Sequence, residues 1–171
     1  PLPDSLRDGR VVKNGGKWYV ALPETKTRNL AENQGRLCSL DPGVRTFQTF
    51  FSDQHCGHLG NQDIQRITRL ARHLDDLLSR KDKAKSKRTK RSLGEAATRI
   101  RLKISDLIDE LHWKTARFLT ENFDVILLPT FETSQMVGKV GRKIHNKTVR
   151  NMLTLKHYQF SQRLEQKCFE M

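Results

Sequence analysis

Cysteine is scarce in this 171-residue chain: Cys38, Cys56 and Cys168 are odd in number, widely spread and form no Cys-x-x-Cys pair. Neither a disulfide framework nor a zinc ribbon is visible, and three free thiols are expected. Long apolar runs are missing too. No stretch approaches the roughly 18 residues of a membrane-spanning helix, and no signal peptide opens the chain, so a membrane partner is not expected. An intracellular protein is, in the cytoplasm of a prokaryote or the nucleus of a eukaryote. Acidic residues are in deficit: 19 Asp and Glu stand against 32 Lys and Arg, a formal charge of +13. Such a chain is drawn to polyanions, nucleic acid first among them.

The length suits one domain with an appendage and is enough for a packed core. The chain opens on Pro1-Leu2-Pro3-Asp4 without a methionine and stops at Met171 inside an amphipathic pattern. A fragment of a longer protein is the expectation. Residues 10–22 place two β-rich runs about Asn14-Gly15-Gly16, a hairpin whose turn residues tolerate positive φ. The polar stretch 23–36 reads as a linker, so residues 1–36 form a β-hairpin and linker that end a preceding unit. Residues 37–40 make a short apolar strand running into the turn Asp41-Pro42-Gly43, residues 44–51 a β-branched and aromatic strand, and residues 55–59 a third, as an antiparallel meander.

From Ile64 the apolar positions 64, 67, 70, 71, 74, 77 and 78 describe one helical face. Leu93, Ala97, Ile100, Ile104, Leu107 and Leu111 follow the heptad rhythm of two helices zipped together. Residues 62–122 are therefore expected as an antiparallel helical hairpin. Its second helix, over residues 92–121, would be roughly 45 Å long and would project from a small domain. The tip is strongly cationic, with Arg80, Lys81, Lys83, Lys85, Lys87, Arg88, Lys90 and Arg91 supplying eight positive charges in twelve residues. Residues 123–128 read as a strand buried on both faces and parallel to its neighbour. A last helix from about Lys147 would bury Leu153, Phe160 and Leu164. Trp18, Tyr19 and the phenylalanines read as core, Asp124 as a solvated or capping residue, and His112 and Trp113 as contacts to a neighbouring domain. His55, Cys56 and His58 lack the spacing and the fourth ligand of a zinc site.

This is an RNase H-like order, with one carboxylate, Asp41, where the first core strand ends and another, Glu132, just past the second. Phosphodiester hydrolysis of that kind uses two hard divalent ions roughly 4 Å apart, held by carboxylates at adjacent strand ends. Asp-Pro-Gly is also an ordinary turn tripeptide, and taken alone Asp41 reads as structural. A charge run is in the same way most often a solvated face or, in a eukaryote, a nuclear localisation signal.

Residues 40–47 (Leu-Asp-Pro-Gly-Val-Arg-Thr-Phe), the basic helical hairpin and Asp124-Val125-Ile126-Leu127-Leu128-Pro129 together resemble the RuvC-like nuclease core of TnpB-type transposon proteins. These and the related Fanzor proteins are RNA-guided DNA endonucleases. The resemblance runs from about Gly16 to Met171 and implies an α/β, RuvC-like core over residues 37–171 with an inserted helical hairpin. It also implies that the hairpin before the core ends a wedge or OB-like domain. Asp41 and Glu132 would be the catalytic, metal-binding acids for two Mg²⁺ ions, with Mn²⁺ as a substitute. In most TnpB-type proteins the second acid directly follows the apolar strand, where this chain has Pro129; the relocated Glu132 is similar to the Fanzor arrangement. The family's third acid, an Asp beyond a four-cysteine zinc finger, has no counterpart here, since no Asp follows Asp124. Zinc would belong only to a segment downstream of this chain.

The resemblance thus implies an RNA-guided DNA endonuclease as the parent, with guide RNA and target DNA as partners, and an inactive isolated chain. The alternative is a non-catalytic RNA- or DNA-binding protein that keeps the fold and the charge. The tip cations would touch nucleic-acid backbone. Lys139, Arg142, Lys143 and Lys147, around Gly138 and Gly141, would form a cationic loop that admits single-stranded DNA.

Overall fold

A computed structural model describes residues 8–14, 16–23, 34–131, 133–137 and 144–170. Strands β1 (Arg10–Asn14) and β2 (Lys17–Ala21) form a two-stranded antiparallel hairpin, exposed at every position. Gly16 takes φ 87° in its turn, as the Asn-Gly-Gly signature requires. Trp18 and Tyr19, expected in the core, are 66% and 46% exposed. They sit on a two-stranded ribbon that no other described strand joins, and Lys13 lies over the Trp18 ring at 5.0 Å. Lys17 meets Asp106 at 3.1 Å, tying the ribbon to the helical layer.

The main sheet has the order β5-β4-β3-β6, from β3 (Leu37–Pro42), β4 (Gln48–Ser52), β5 (Cys56–Leu59) and β6 (Val125–Leu127). β3, β4 and β5 are the antiparallel meander, and β6 lies parallel to β3 in the register Leu37↔Val125, Cys38↔Ile126, Ser39↔Leu127. Parallel pairing needs a crossover, and here it is the pair of long helices α1 (Asn61–Lys83) and α2 (Lys87–Asn122). At 1.5 Å per residue the 36 residues of α2 span about 54 Å. Only residues 84–86 separate the helices, so the cationic tip is mostly helical rather than loop.

Alternation decides the faces of the sheet. Cys38, Leu40, Pro42, Gln48 and Phe50 turn inward, whereas Leu37, Ser39, Asp41, Thr49 and Phe51 turn outward, from partly covered to fully exposed. Against the inner face pack Ile64 and Ile67 of α1 and Ile104, Leu107, Ile108, Leu111 and Leu119 of α2. Each such side chain contributes about 1.5–3 kcal/mol on burial. β6 departs from the expectation of two buried faces. Val125 and Leu127 are 37% and 52% exposed, and Ile126 alone of the three points to the core.

Three further expectations are corrected. Residues 44–47 are a bend rather than strand, held by Gly43 N–H donating to the Phe47 carbonyl (3.2 Å) and Phe47 N–H to that of Leu59 (3.0 Å). The last helix is two, α4 (Asn146–Leu155) and α5 (His157–Glu170), after the short α3 (Thr133–Val137); Lys156 breaks it at φ 50°. α4 buries Val149, Met152 and Leu155, leaving Leu153 56% exposed. Asp124 is not a solvated residue: its carboxylate accepts from Arg36 Nε (3.1 Å), Nη2 (2.9 Å) and backbone N–H (3.0 Å), which pins the start of β6 beside that of β3. That fork of charge-assisted bonds holds the Asp124 carboxyl down at about 2.

Candidate functional site at the Asp41 turn

Asp41 stands on the outer face at the penultimate position of β3, exposed, and among the described residues its side chain has neither a hydrogen-bond nor an ion-pair partner. Thr49 lies opposite it and His58 opposite Thr49, with Thr49 Oγ1 3.3 Å from His58 Nδ1. The β3–β6 offset of 125 − 37 = 88 residues, carried forward from Asp41, reaches position 129. That position is Pro129, which offers no ligand. Glu132 lies outside the described residues, as do Lys139, Arg142 and Lys143. Among the described residues no group of three His, Cys, Asp or Glu side chains could hold a metal. An exposed carboxylate with both oxygens unengaged fits one hard-oxygen ligand of a divalent ion; further ligands would have to come from outside that set.

The turn itself is tightly built. A Cβ on Gly43 would come within 2.7 Å of the Thr46 carbonyl oxygen, so no other residue fits there without moving backbone. Beneath it Phe47, fully buried, is stacked between two imidazoles. Ring centroids lie 5.1 Å from His112 and 5.2 Å from His157, at 17° in both pairs. Phe160 meets Phe47 edge-on at 4.9 Å. His112 was expected to contact a neighbouring domain; instead it is 0% exposed, 2.9 Å from the Leu155 carbonyl through Nε2 and 3.1 Å from Arg163 through Nδ1. Burial pushes both imidazoles down to about 4, so they are neutral at pH 7 and can stack in an apolar core. For His157 the nearby Gly43 backbone opposes the shift, although neither ring nitrogen reaches it in full hydrogen-bond geometry.

Two cavities flank this turn. One, of about 640 Å³ and open, lies between residues 44–45, α1 and α4; Arg45, Arg69, Arg72 and Lys147 line it with Asn61 and Asn151. All four cations are exposed, and among the described residues none has an acidic partner. Their neighbour Arg150 is engaged, its guanidinium forked onto the Asp75 carboxylate. Only Lys147 was legible as a site residue in the sequence. Arg69 and Arg72 are three apart on one helical face, a signal available in the sequence, but Arg45 joins them only through the fold. The second cavity, also about 640 Å³, is lined by Pro42, Gln48, Pro129, Phe131, His157 and Tyr158, among others.

The hairpin tip is different in kind. Arg80 pairs with Asp76 (3.6 Å) and Arg91 with Glu95 (3.0 Å) on their own helices. Arg80, Lys81 and Lys83 occupy the last turn of α1, where the helix dipole favours cations. Lys87, Arg88 and Lys90 open α2, where the dipole opposes them and no acid compensates in the first turn. Among the described residues no helix is long and apolar enough to cross a membrane.

No family model matches the chain. Among individual proteins, the chain is 30% identical over 157 residues to "Putative transposase R186" of Acanthamoeba polyphaga mimivirus, covering 88% of this chain and 32% of that protein. It is 30% identical over 156 residues to "Putative transposase A625R" of Paramecium bursaria Chlorella virus 1, covering 91% and 35%. The TnpB-like protein L79 of the mimivirus is 22% identical over 153 residues, covering 86% and 29%. The chain thus spans about a third of the length of these relatives. Over that third, the chain belongs with the TnpB-type, transposon-associated proteins.

Proposed function

We propose that this chain is the greater part of an RNase H-like (RuvC-like) nuclease core, acting within a longer, transposon-encoded DNA endonuclease. The observation that carries the reading is Asp41, an exposed carboxylate near the end of β3, the strand that pairs in parallel with β6, three residues before a groove whose four cations have no acidic partner among the described residues. The sheet order supports it as well, an antiparallel meander with a helical crossover to a parallel strand against its first member. Asp41 and Glu132 would hold two Mg²⁺ ions, or Mn²⁺ in their place, completed by an acid outside this chain. Bound there, divalent ions ready a water for attack and stabilise the leaving oxygen of a phosphodiester. The protein's own side chains do the positioning. Arg45, Arg69, Arg72 and Lys147 draw the phosphates to the Asp41 turn, and Lys87, Arg88 and Lys90 hold nucleic-acid backbone at a distance from it. Guide RNA and target DNA are the partners in this reading, bound through backbone shape rather than base sequence.

Purifying the longer protein at moderate salt and sequencing the nucleic acid that stays with it is the first test. One defined RNA, with Mg²⁺-dependent DNA cleavage lost in Asp41→Ala, is expected. Heterogeneous nucleic acid that washes off in salt would leave only a polycation. A second reading, binding without cleavage, rests on Pro129, two residues beyond the last paired residue of β6, where the register continued from Ser39↔Leu127 would fall opposite Asp41. It predicts the same RNA capture with no cleavage, and an Asp41→Ala protein indistinguishable from the wild type. The isolated chain is expected to be inactive, and cleavage by it that disappears in Asp41→Ala would overturn that expectation.

A further inference from the structure

The cavity lined by Pro42, Gln48 and Pro129 is chemically unlike the rest of the surface. It lies across the Asp41 turn from the cationic groove: residues 44–45 and α4 bound the groove, while Pro42, Gln48 and α5 bound this cavity. Its walls are largely apolar and aromatic, from Leu128, Pro129, Phe131, Tyr158 and Phe160, with Thr130, Thr133 and Ser161 beside them. Into this setting the fold puts two polar side chains that are almost wholly buried. Gln48 is 1% exposed and its amide nitrogen and oxygen both lack a hydrogen-bond partner; His157 is 4% exposed and neither ring nitrogen has one. Buried polar atoms without partners are uncommon, because each gives up its bonds to water and receives nothing in return. Tyr158, by contrast, stands 69% exposed at the rim, and Phe131 meets His157 edge-on at 4.9 Å.

An occupant for such a cavity is flat, apolar on its faces and polar at one edge. Its volume falls in the range of small-molecule sites. A nucleobase has that character: its faces stack on aromatic rings, and its edge carries a donor beside an acceptor, the pattern a glutamine amide satisfies with two bonds. The groove across the turn supplies what the rest of a nucleotide strand needs, cations for phosphates. We infer that the cavity takes one unstacked nucleobase of a bound single strand, read at its edge by Gln48, while the adjoining phosphates lie in the groove of Arg45, Arg69, Arg72 and Lys147. The turn that follows Asp41 then lies between the two, with Asp41 itself on the outer face of the sheet and lining neither. This rests on the nucleic-acid reading above and adds to it a position at which the strand is held by a base.

Photo-crosslinking tests the inference with the chain as it is. A fluorescent twenty-nucleotide thymidine strand carrying one 4-thiothymidine is bound at low salt, irradiated, and the linked peptide is mapped by mass spectrometry. Crosslinks at Phe131 or Tyr158 are expected. Tyr158→Ala, at an exposed position that tolerates truncation, and Gln48→Met, which keeps the shape, are expected to lower that yield about tenfold, the scale of one base–aromatic stack. Strand affinity by fluorescence anisotropy, dominated by phosphate contacts, should change much less. A strand that binds but crosslinks only at the hairpin tip, or a yield unmoved in both variants, would overturn the pocket and leave the nucleic-acid reading standing. No binding of the strand at all would overturn both. Calorimetric titration with free thymidine monophosphate separates the sources: sub-millimolar binding lost in Tyr158→Ala would make a free nucleotide the occupant and overturn the strand assignment.

Discussion

The two cationic regions of this molecule look alike in composition and differ in physics. At the hairpin tip the charges are dense in sequence, and Lys81 and Arg91 line an open cavity that also holds the carboxylate of Glu95. Two of its arginines are answered by carboxylates one turn away, and three of its cations sit where the α1 dipole favours them. At the Asp41 turn only four cations meet, from three separate segments, yet they line a concavity and none has an acidic partner among the described residues. Charge confined to one side of a cleft focuses the field, whereas the same charge spread over a projecting rod is screened beyond about 8–10 Å. The groove is therefore the stronger site per charge, and the tip an auxiliary one.

Charge reversal gives the largest test of that difference. Replacing Arg69, Arg72 and Lys147 together by Glu is expected to weaken single-strand binding by about a hundredfold or more at low salt. The slope of log affinity against log salt should shrink by about two units, three contacts at roughly 0.7 each. Reversing Lys87, Arg88 and Lys90 should cost the isolated chain about tenfold or less, because charge spread along a helical rod is not focused as it is in the groove. Anisotropy titrations across a salt series check both. Equal losses would erase the distinction, and a larger loss at the tip would invert it.

Acid should separate the regions next. His112 and His157 carry folded-state values of about 4 against ordinary values of 6.5, so the unfolded chain binds the extra protons between those limits. Their contribution is intact above pH 6.5 and is lost progressively as pH falls towards 4, by about 3 kcal/mol for each imidazole at full titration. Both rings stack on Phe47 beneath the turn, and neither is part of the outer hairpin. Near-UV circular dichroism and strand binding are expected to fade together between pH 6.5 and 4.5, with far-UV helicity outlasting them. Simultaneous loss of all three signals would mean that turn and hairpin unfold as one unit.

Replacing Gln48 by Met bears on the apolar side of the turn. It removes two unpartnered polar atoms at nearly constant shape, and a stabilisation of about 1–3 kcal/mol is expected. Thermal denaturation reads it. A destabilised variant would show that the amide has a structural partner in solution, and the cavity would lose its polar edge.

How much of this was readable beforehand follows from what each feature depends on. The heptad from Leu93 to Leu111 gave the helical hairpin and the β-rich runs about Asp41 gave the meander, because local periodicity reports which face is buried; the parallel strand was expected from the apolar run 123–128, whose two buried faces the structure does not show. Residues 44–47 were misread as strand because Phe47 has the composition of one; its burial comes from stacking on two histidines far along the chain. The break at Lys156 was hidden for lack of glycine or proline. Leu153 was misassigned with it, since one continuous helix and two short ones bury different faces. The place of Asp41 near the end of β3 was legible because the turn tripeptide marks a strand end. The groove was not, because Arg45, Arg72 and Lys147 are joined only by tertiary packing, and an arginine without a partner looks in sequence like one with a partner.

That last ambiguity sets the smallest and most discriminating test. Arg72 on α1 and Arg150 on α4 lie on the two helices that bound the groove, but Arg150 is forked onto Asp75 and donates to the Ala71 carbonyl, while Arg72 faces the groove without a carboxylate among the described residues. Arg150→Ala should therefore cost stability, by about 0.5–1 kcal/mol for a pair that is nearly half exposed, and should change strand affinity little. For Arg72→Ala the signature is reversed: no change in melting temperature, and a loss of affinity with one contact's worth of salt slope, about 0.7. Two truncations of the same residue type one turn of packing apart then report different quantities. If both moved stability alone, the unpaired cations of the groove would be an ordinary solvated face; if both moved affinity alone, the Asp75 pair would be too weak in solution to hold Arg150 away from the phosphates.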